Sequence, residues 1–141
     1  MKASILTIAV SLISLSGCVP YPVYKMLQPS ASVTVHDKTN RPLPEVEVML
    51  ISNAYPYGFE KSRESKETSN DGTASFASLR EWRTESLMIH GAEVYFWNWC
   101  VRKDGYSTFL TAHRSSQDFQ SSFIVHLEPG VSSPCPKPFH L

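Results

Sequence analysis

Three cysteines and five histidines are the residues best equipped for chemistry in this chain, and their spacing limits what that chemistry can be. Cys18, Cys100 and Cys135 form no C-x-x-C pair. His36, His90, His113, His126 and His140 make no HxH, no HExxH and no His–Cys set at metal-ligand spacing. They read as surface histidines, and no metal is expected. No Gly-x-Ser-x-Gly elbow presents a serine nucleophile, and six glycines supply no phosphate-cradling loop. Glu45 and Glu47 are spaced like a carboxylate pair, but alternation puts both on an outward face, where solvated carboxylates imply no catalysis. The sequence points to no catalytic residue, no cofactor and no enzyme.

Cys18 is a different case. Met1-Lys2 precedes a short apolar run through Ile5, Leu6, Ile8, Val10, Leu12, Ile13 and Leu15, the charged and apolar regions of a secretory signal. The run is shorter than the about 20 apolar residues that a membrane-spanning helix needs. Leu15-Ser16-Gly17-Cys18 resembles a bacterial lipobox. The resemblance implies a signal peptide over residues 1–17, a diacylglyceryl group on the Cys18 sulfur and cleavage just before it. Two or three acyl chains, at about 0.8 kcal/mol per buried CH₂, hold a protein on a membrane where a single chain is marginal. Val19 stands where an aspartate would resemble the inner-membrane retention signal, so the expected address is the outer membrane, facing the periplasm. Residues 18–30, "CVPYPVYKMLQPS", read as a proline-rich, semi-extended tether. Tyr21 and Tyr24 within it suit a wet interface, or belong to a plain linker.

Export would carry the remaining cysteines into an oxidising compartment, where Cys100 and Cys135 are expected to pair. In the loop-entropy model such a bridge stabilises by roughly 3 to 4 kcal/mol. Charge narrows the partners: Lys plus Arg number 13 and Asp plus Glu number 13, so no basic surface is offered to nucleic acid.

These residues must be positioned by strands. "ASVTVHD" (31–37) alternates Val33 and Val35 against Thr34 and His36; "EVEVMLI" (45–51) sets Val46, Val48 and Leu50 on one face. "DKTNRPLP" between them is turn chemistry. The polar run after Phe59 suits an exposed edge strand, and Asn70-Asp71-Gly72 turns the chain before Ala74 and Phe76. "SLREWRTESL" (78–87) is the single stretch with helical character, at most a turn or two, and Trp82 in it is either a partner contact or, the reading preferred, buried. "EVYFWNWCVRKDGY" places Tyr95, Trp97, Trp99 and Val101 inward as the core's anchor and Cys100 outward. The proline-rich tail, residues 130–141, must then fold back across that outer face, over Phe96, to bring Cys135 to Cys100. "SSFIVHL" (121–127) is a last strand. About seven short strands predict an antiparallel β-sandwich over residues 31–129.

The order "VTVHDKTNRPLPEVEVML", "TSNDGTASF" and "VRKDGY" resembles the carboxypeptidase-regulatory-like, transthyretin-like (prealbumin-like) sandwich over roughly residues 31–127. The resemblance implies a seven-stranded Ig-like fold used by accessory, adhesive and structural modules, and such a fold does not assign a role. Residues 80–92 exceed the family's usual link. Transthyretin-type hydroxyisourate hydrolases carry a Tyr-Arg-Gly-Ser-like tail, and "PKPFHL" here lacks it.

One loop remains. "NAYPYGF" (53–59) sets Tyr55, Tyr57 and Phe59 between strands, either as a partner-binding cluster or folded over an open end of the sandwich. The expected function is a lipid-anchored, non-catalytic binding or scaffold module with an envelope protein as partner. A structural accessory of an envelope or secretion machine is the alternative. A small hydrolase, the third reading, would need a clustered polar pocket.

Overall fold

Alternating sequence gives each strand one dry face and one wet face, and the dry faces must meet. The computed structural model describes residues 20–86 and 92–138. Among them are nine strands and no helix: β1 (Pro20–Gln28), β2 (Ala31–Asp37), β3 (Glu47–Tyr55), β4 (Phe59–Glu67), β5 (Thr73–Phe76), β6 (Leu79–Ser86), β7 (Val94–Arg102), β8 (Phe109–Leu110) and β9 (Ser122–Leu127). They form a three-stranded sheet, β5-β2-β9, a four-stranded sheet, β4-β3-β7-β8, and a two-stranded ribbon, β1-β6. Val33, Val35, Phe76 and Val125 of the first sheet share one core with Val48, Leu50, Trp97 and Trp99 of the second. Across that core the Phe76 and Trp99 rings lie 5.4 Å apart, edge to face. The described residues are all-β, with two sheets packed on one core.

Four expectations are corrected. The sandwich is not wholly antiparallel, because β9 runs parallel to β2, with Val33 opposite Phe123 and Val35 opposite Val125. Parallel neighbours need a long crossover, and β9 reaches β2 only after most of the chain has been laid down. Residues 20–28 are not a tether: they form β1, antiparallel to β6 from Pro20–Ser86 to Gln28–Leu79. Residues 79–86 are a strand rather than a helical turn, because β6 continues β5 and finds in β1 a ladder for its backbone. Trp82 is 70% exposed, not buried.

The prolines explain how β1 is tolerated. Pro20 and Pro22 are two residues apart, so both take the position whose missing N–H points away from β6, on the ribbon's open edge. Turns fix the rest. The Asp37 carboxylate accepts from the backbone N–H groups of Thr39 (2.8 Å) and Arg41 (3.0 Å), the Thr39 hydroxyl (2.7 Å) and Arg41 Nε (2.9 Å). Those bonds, led by the Thr39 hydroxyl, hold its carboxyl well below the usual carboxylate range. Gly72 turns the chain into β5 at φ 76°, and a Cβ there would lie 2.6 Å from the Val35 carbonyl oxygen. Only glycine fits.

Candidate functional site

The outer face of the four-stranded sheet shows first what the sequence foresaw. Inward residues of β7 are Tyr95, Trp97, Trp99 and Val101, all in the core, and Cys100 points the other way yet is 0% exposed. Its cover is the tail. Cys100 and Cys135 form a disulfide with Cα atoms 5.9 Å apart, across a sequence separation of 35. Hydrogen bonds seat the same strap: Thr108 Oγ1 donates to the Ser133 carbonyl (2.6 Å), Arg102 Nε to Ser132 Oγ (3.1 Å) and Arg63 Nη1 to the Pro136 carbonyl (3.0 Å). Phe96, on this face too, packs on the Tyr55 ring at 5.1 Å, so the last residue of β3 supplies the cover expected of the tail.

The three aromatics Tyr55, Tyr57 and Phe59 therefore divide. Tyr55 folds back on Phe96, while Tyr57 is 66% exposed and stacks on Phe59 at 5.4 Å. The chain turns between them through a cis Tyr55–Pro56 peptide and through Gly58 at φ 71°. Asn53 Nδ2 donates to the Gly58 carbonyl at 3.2 Å and closes the loop.

The most concentrated chemistry lies where the ribbon meets the start of β7. Odd-numbered residues of β1 and β6 face the body. There Lys25 pairs with Glu85, Arg83 Nε meets Glu81 at 2.7 Å, and Arg83 Nη1 reaches Glu93 at 3.8 Å. Lys61 from β4 binds Glu93 at 2.6 Å, and Tyr95 donates its hydroxyl to the same carboxylate at 3.1 Å. Lys25 Nζ also lies 5.9 Å from the Tyr95 ring centre. Burial pushes the Lys25 ammonium down and drives the Tyr95 phenol up to about 12, with Glu93 adding to the second effect. Burial would raise the Glu93 carboxyl, but Lys61 foremost, with Tyr95 and Arg83, holds it below its ordinary value. Three cations answer three carboxylates, each charge has a partner, and the phenol is moved away from neutral pH. Such a cluster clamps an element in place and is poorly suited to proton transfer.

Pro20, Pro22, Tyr24, Arg80, Trp82 and Thr84 face away, whereas Met26 and Gln28, beside the register shift, turn to the core. Tyr24 and Trp82 are opposite in register, 53% and 70% exposed, with rings 5.3 Å apart. Because the prolines fix the even pairs as non-hydrogen-bonded ones, these two side chains are brought close. The aromatic pair escaped sequence reasoning. The signal that betrays it is alternation without an apolar face in "LREWRTES", beside prolines two residues apart in "PYPVYKM".

Other foreseen residues are scattered. His36 and His126 are register partners with ring centres 5.7 Å apart, and among the described residues no three His, Cys, Asp or Glu side chains gather to hold a metal ion. His113 lines a cavity of about 200 Å³ beside Trp99, Phe109 and Phe123. Glu45 and Glu47 border an open cleft of about 670 Å³, where Arg102 pairs with Glu47 at 3.5 Å. Cys18, His90 and His140 lie outside the described residues. No family model, curated protein or solved structure matches the chain.

Proposed function

We infer that this protein is a lipid-anchored binding or scaffold module on a transthyretin-like sandwich, held by Cys18 on the periplasmic side of the outer membrane and without catalytic chemistry. The observation that carries the reading is the Cys100–Cys135 disulfide, which straps the tail onto the outer sheet face. The motifs quoted for the family resemblance lend it support by falling at turns. "DKTNRPLP" leads from β2 to β3, "NDG" turns into β5, and "KDGY" follows β7. The disulfide agrees with an exported protein. The exposed Tyr57 and its neighbour Phe59 supply rigid aromatic area for an envelope protein partner.

Cell fractionation tests the anchor. Wild-type protein is expected with the outer-membrane lipids, and Cys18→Ser in the soluble or uncleaved fraction. Equal partitioning of the two would remove the lipid from the account. Cross-linking in intact envelopes then tests the loop: Tyr57→Ser should lose a partner that wild type captures, and an unchanged cross-link pattern would count against a contact there.

A further inference from the structure

We propose that the outward face of the β1–β6 ribbon is a membrane-contact surface, which lies along the lipid headgroup layer with Tyr24 and Trp82 seated in it. The inference rests on the lipid-anchor reading of Cys18 and adds the orientation that the anchor alone leaves open.

The ribbon divides its residues sharply between its faces. Toward the body it places Lys25, Glu81, Arg83 and Glu85, all engaged in the ionic clamp. Away from the body, the register places Pro22 and Tyr24 opposite Thr84 and Trp82, with Arg80 beyond them, while Met26, its partner, packs on the core. Among the described residues the one charge on that outward face is Arg80, and no carboxylate stands there. A ribbon solvated on its outer side gains nothing by exposing 70% of a tryptophan beside a half-exposed tyrosine. The headgroup layer is where such rings are favoured, with the ring body among acyl-chain ends and the polar edge in water, and a neighbouring arginine suits anionic lipid.

Chain reach makes the surface available and fixes its attitude. One residue, Val19, separates Cys18 from Pro20, a span of at most about 7 Å over the two steps. Along the strand Tyr24 lies about 13 Å farther. A ribbon standing upright on its anchor would carry Tyr24 and Trp82 about 20 Å from the sulfur, beyond a headgroup layer roughly 5 to 8 Å deep. Lying flat, outward face down, it brings both rings into that layer. The clamp to Glu93 keeps the ribbon attached to the sandwich, so orienting the ribbon orients the whole module.

Tryptophan fluorescence provides the test, because the chain has three tryptophans and Trp97 and Trp99 are core residues. Full-length mature protein would be reconstituted into phosphatidylethanolamine–phosphatidylglycerol vesicles containing lipid brominated high on the acyl chain, and its mass recorded. Wild-type emission should be quenched by the bromolipid and shielded from aqueous acrylamide. Trp82→Phe should lose the quenchable part while keeping the circular dichroism of wild type, and Arg80→Glu should reduce the quenching. Protein of lipidated mass whose Trp82 is quenched by acrylamide and untouched by bromolipid would overturn the contact surface and leave the anchor standing. Protein without the lipid mass would overturn the anchor reading, and this inference with it.

Discussion

Cys135→Ser cuts the strap at its half-exposed end and leaves the Cys100 thiol in a dry site, where a free cysteine behaves as a small hydrophobe. The bridge closes 35 residues. In the loop-entropy model this closure is worth roughly 4 kcal/mol at 25 °C, a large share of a small domain's stability. Hydrogen bonds from Thr108, Arg102 and Arg63 would remain available to the tail, but without the bridge each must also order a chain end. With a slope of about 2 kcal/mol per molar, the urea midpoint should fall by roughly 2 M. Equilibrium unfolding of oxidised wild type, reduced wild type and Cys135→Ser is the assay, and the last two should coincide. Cys100→Ser should be worse than Cys135→Ser by about 1 to 3 kcal/mol, because it buries a hydroxyl at a position with no exposure. If Cys135→Ser unfolds within about 0.5 kcal/mol of oxidised wild type, the strap is not the stabilising element described.

Gly72→Ala should destabilise by more than about 1 kcal/mol, since positive φ is joined by a clash with the Val35 carbonyl. Gly58→Ala has open space around its Cβ and should show the smaller, conformational cost alone, so equal losses at the two sites would contradict the geometry. Tyr55→Ala should reduce stability more than Tyr57→Ala, because Tyr55 packs on the buried Phe96, and thermal unfolding of both variants decides it. The Asp37 carboxyl is depressed in the fold, so its contribution is complete above the unfolded carboxylate value of about 4 and is lost as pH falls through the lower folded value. Asp37→Asn should accordingly flatten the acid limb of a stability–pH curve, and an unchanged acid limb would refute that assignment.

What could be read from the sequence was set by local periodicity. Val33 and Val35, or Val48 and Leu50, announce a dry face within a few residues, and Trp97 and Trp99 announce the core strand. The disulfide followed from chain logic: with Cys18 set apart, export leaves Cys100 and Cys135 to pair, and an outward Cys100 then requires the tail to fold back. Pairing between distant segments leaves no such local mark. Pro20 and Pro22 signal a tether until a partner strand lends them an open edge, and that partner, Leu79–Ser86, alternates without an apolar face. Its Trp82 could be read as contact or core, with burial preferred, and the ribbon turns it out. The ionic clamp draws on β1, β4, β6 and β7, and no spacing in the chain relates Lys25 to Glu85 or Lys61 to Glu93. Tyr55 ends β3, whose alternation sets it on the outer face with Phe96, whereas Tyr57 lies in the turn, which has no period to assign it a face.

The account turns on Cys18, and the mass of the mature amino-terminal peptide tests it most directly. Protein purified from bacterial envelopes would be digested and its first peptide measured intact. The account predicts a peptide that begins at Cys18 and carries a diacylglyceryl group, usually with a further acyl chain on its amino group. A mature chain that begins elsewhere, or one with an unmodified Cys18 thiol, would contradict it.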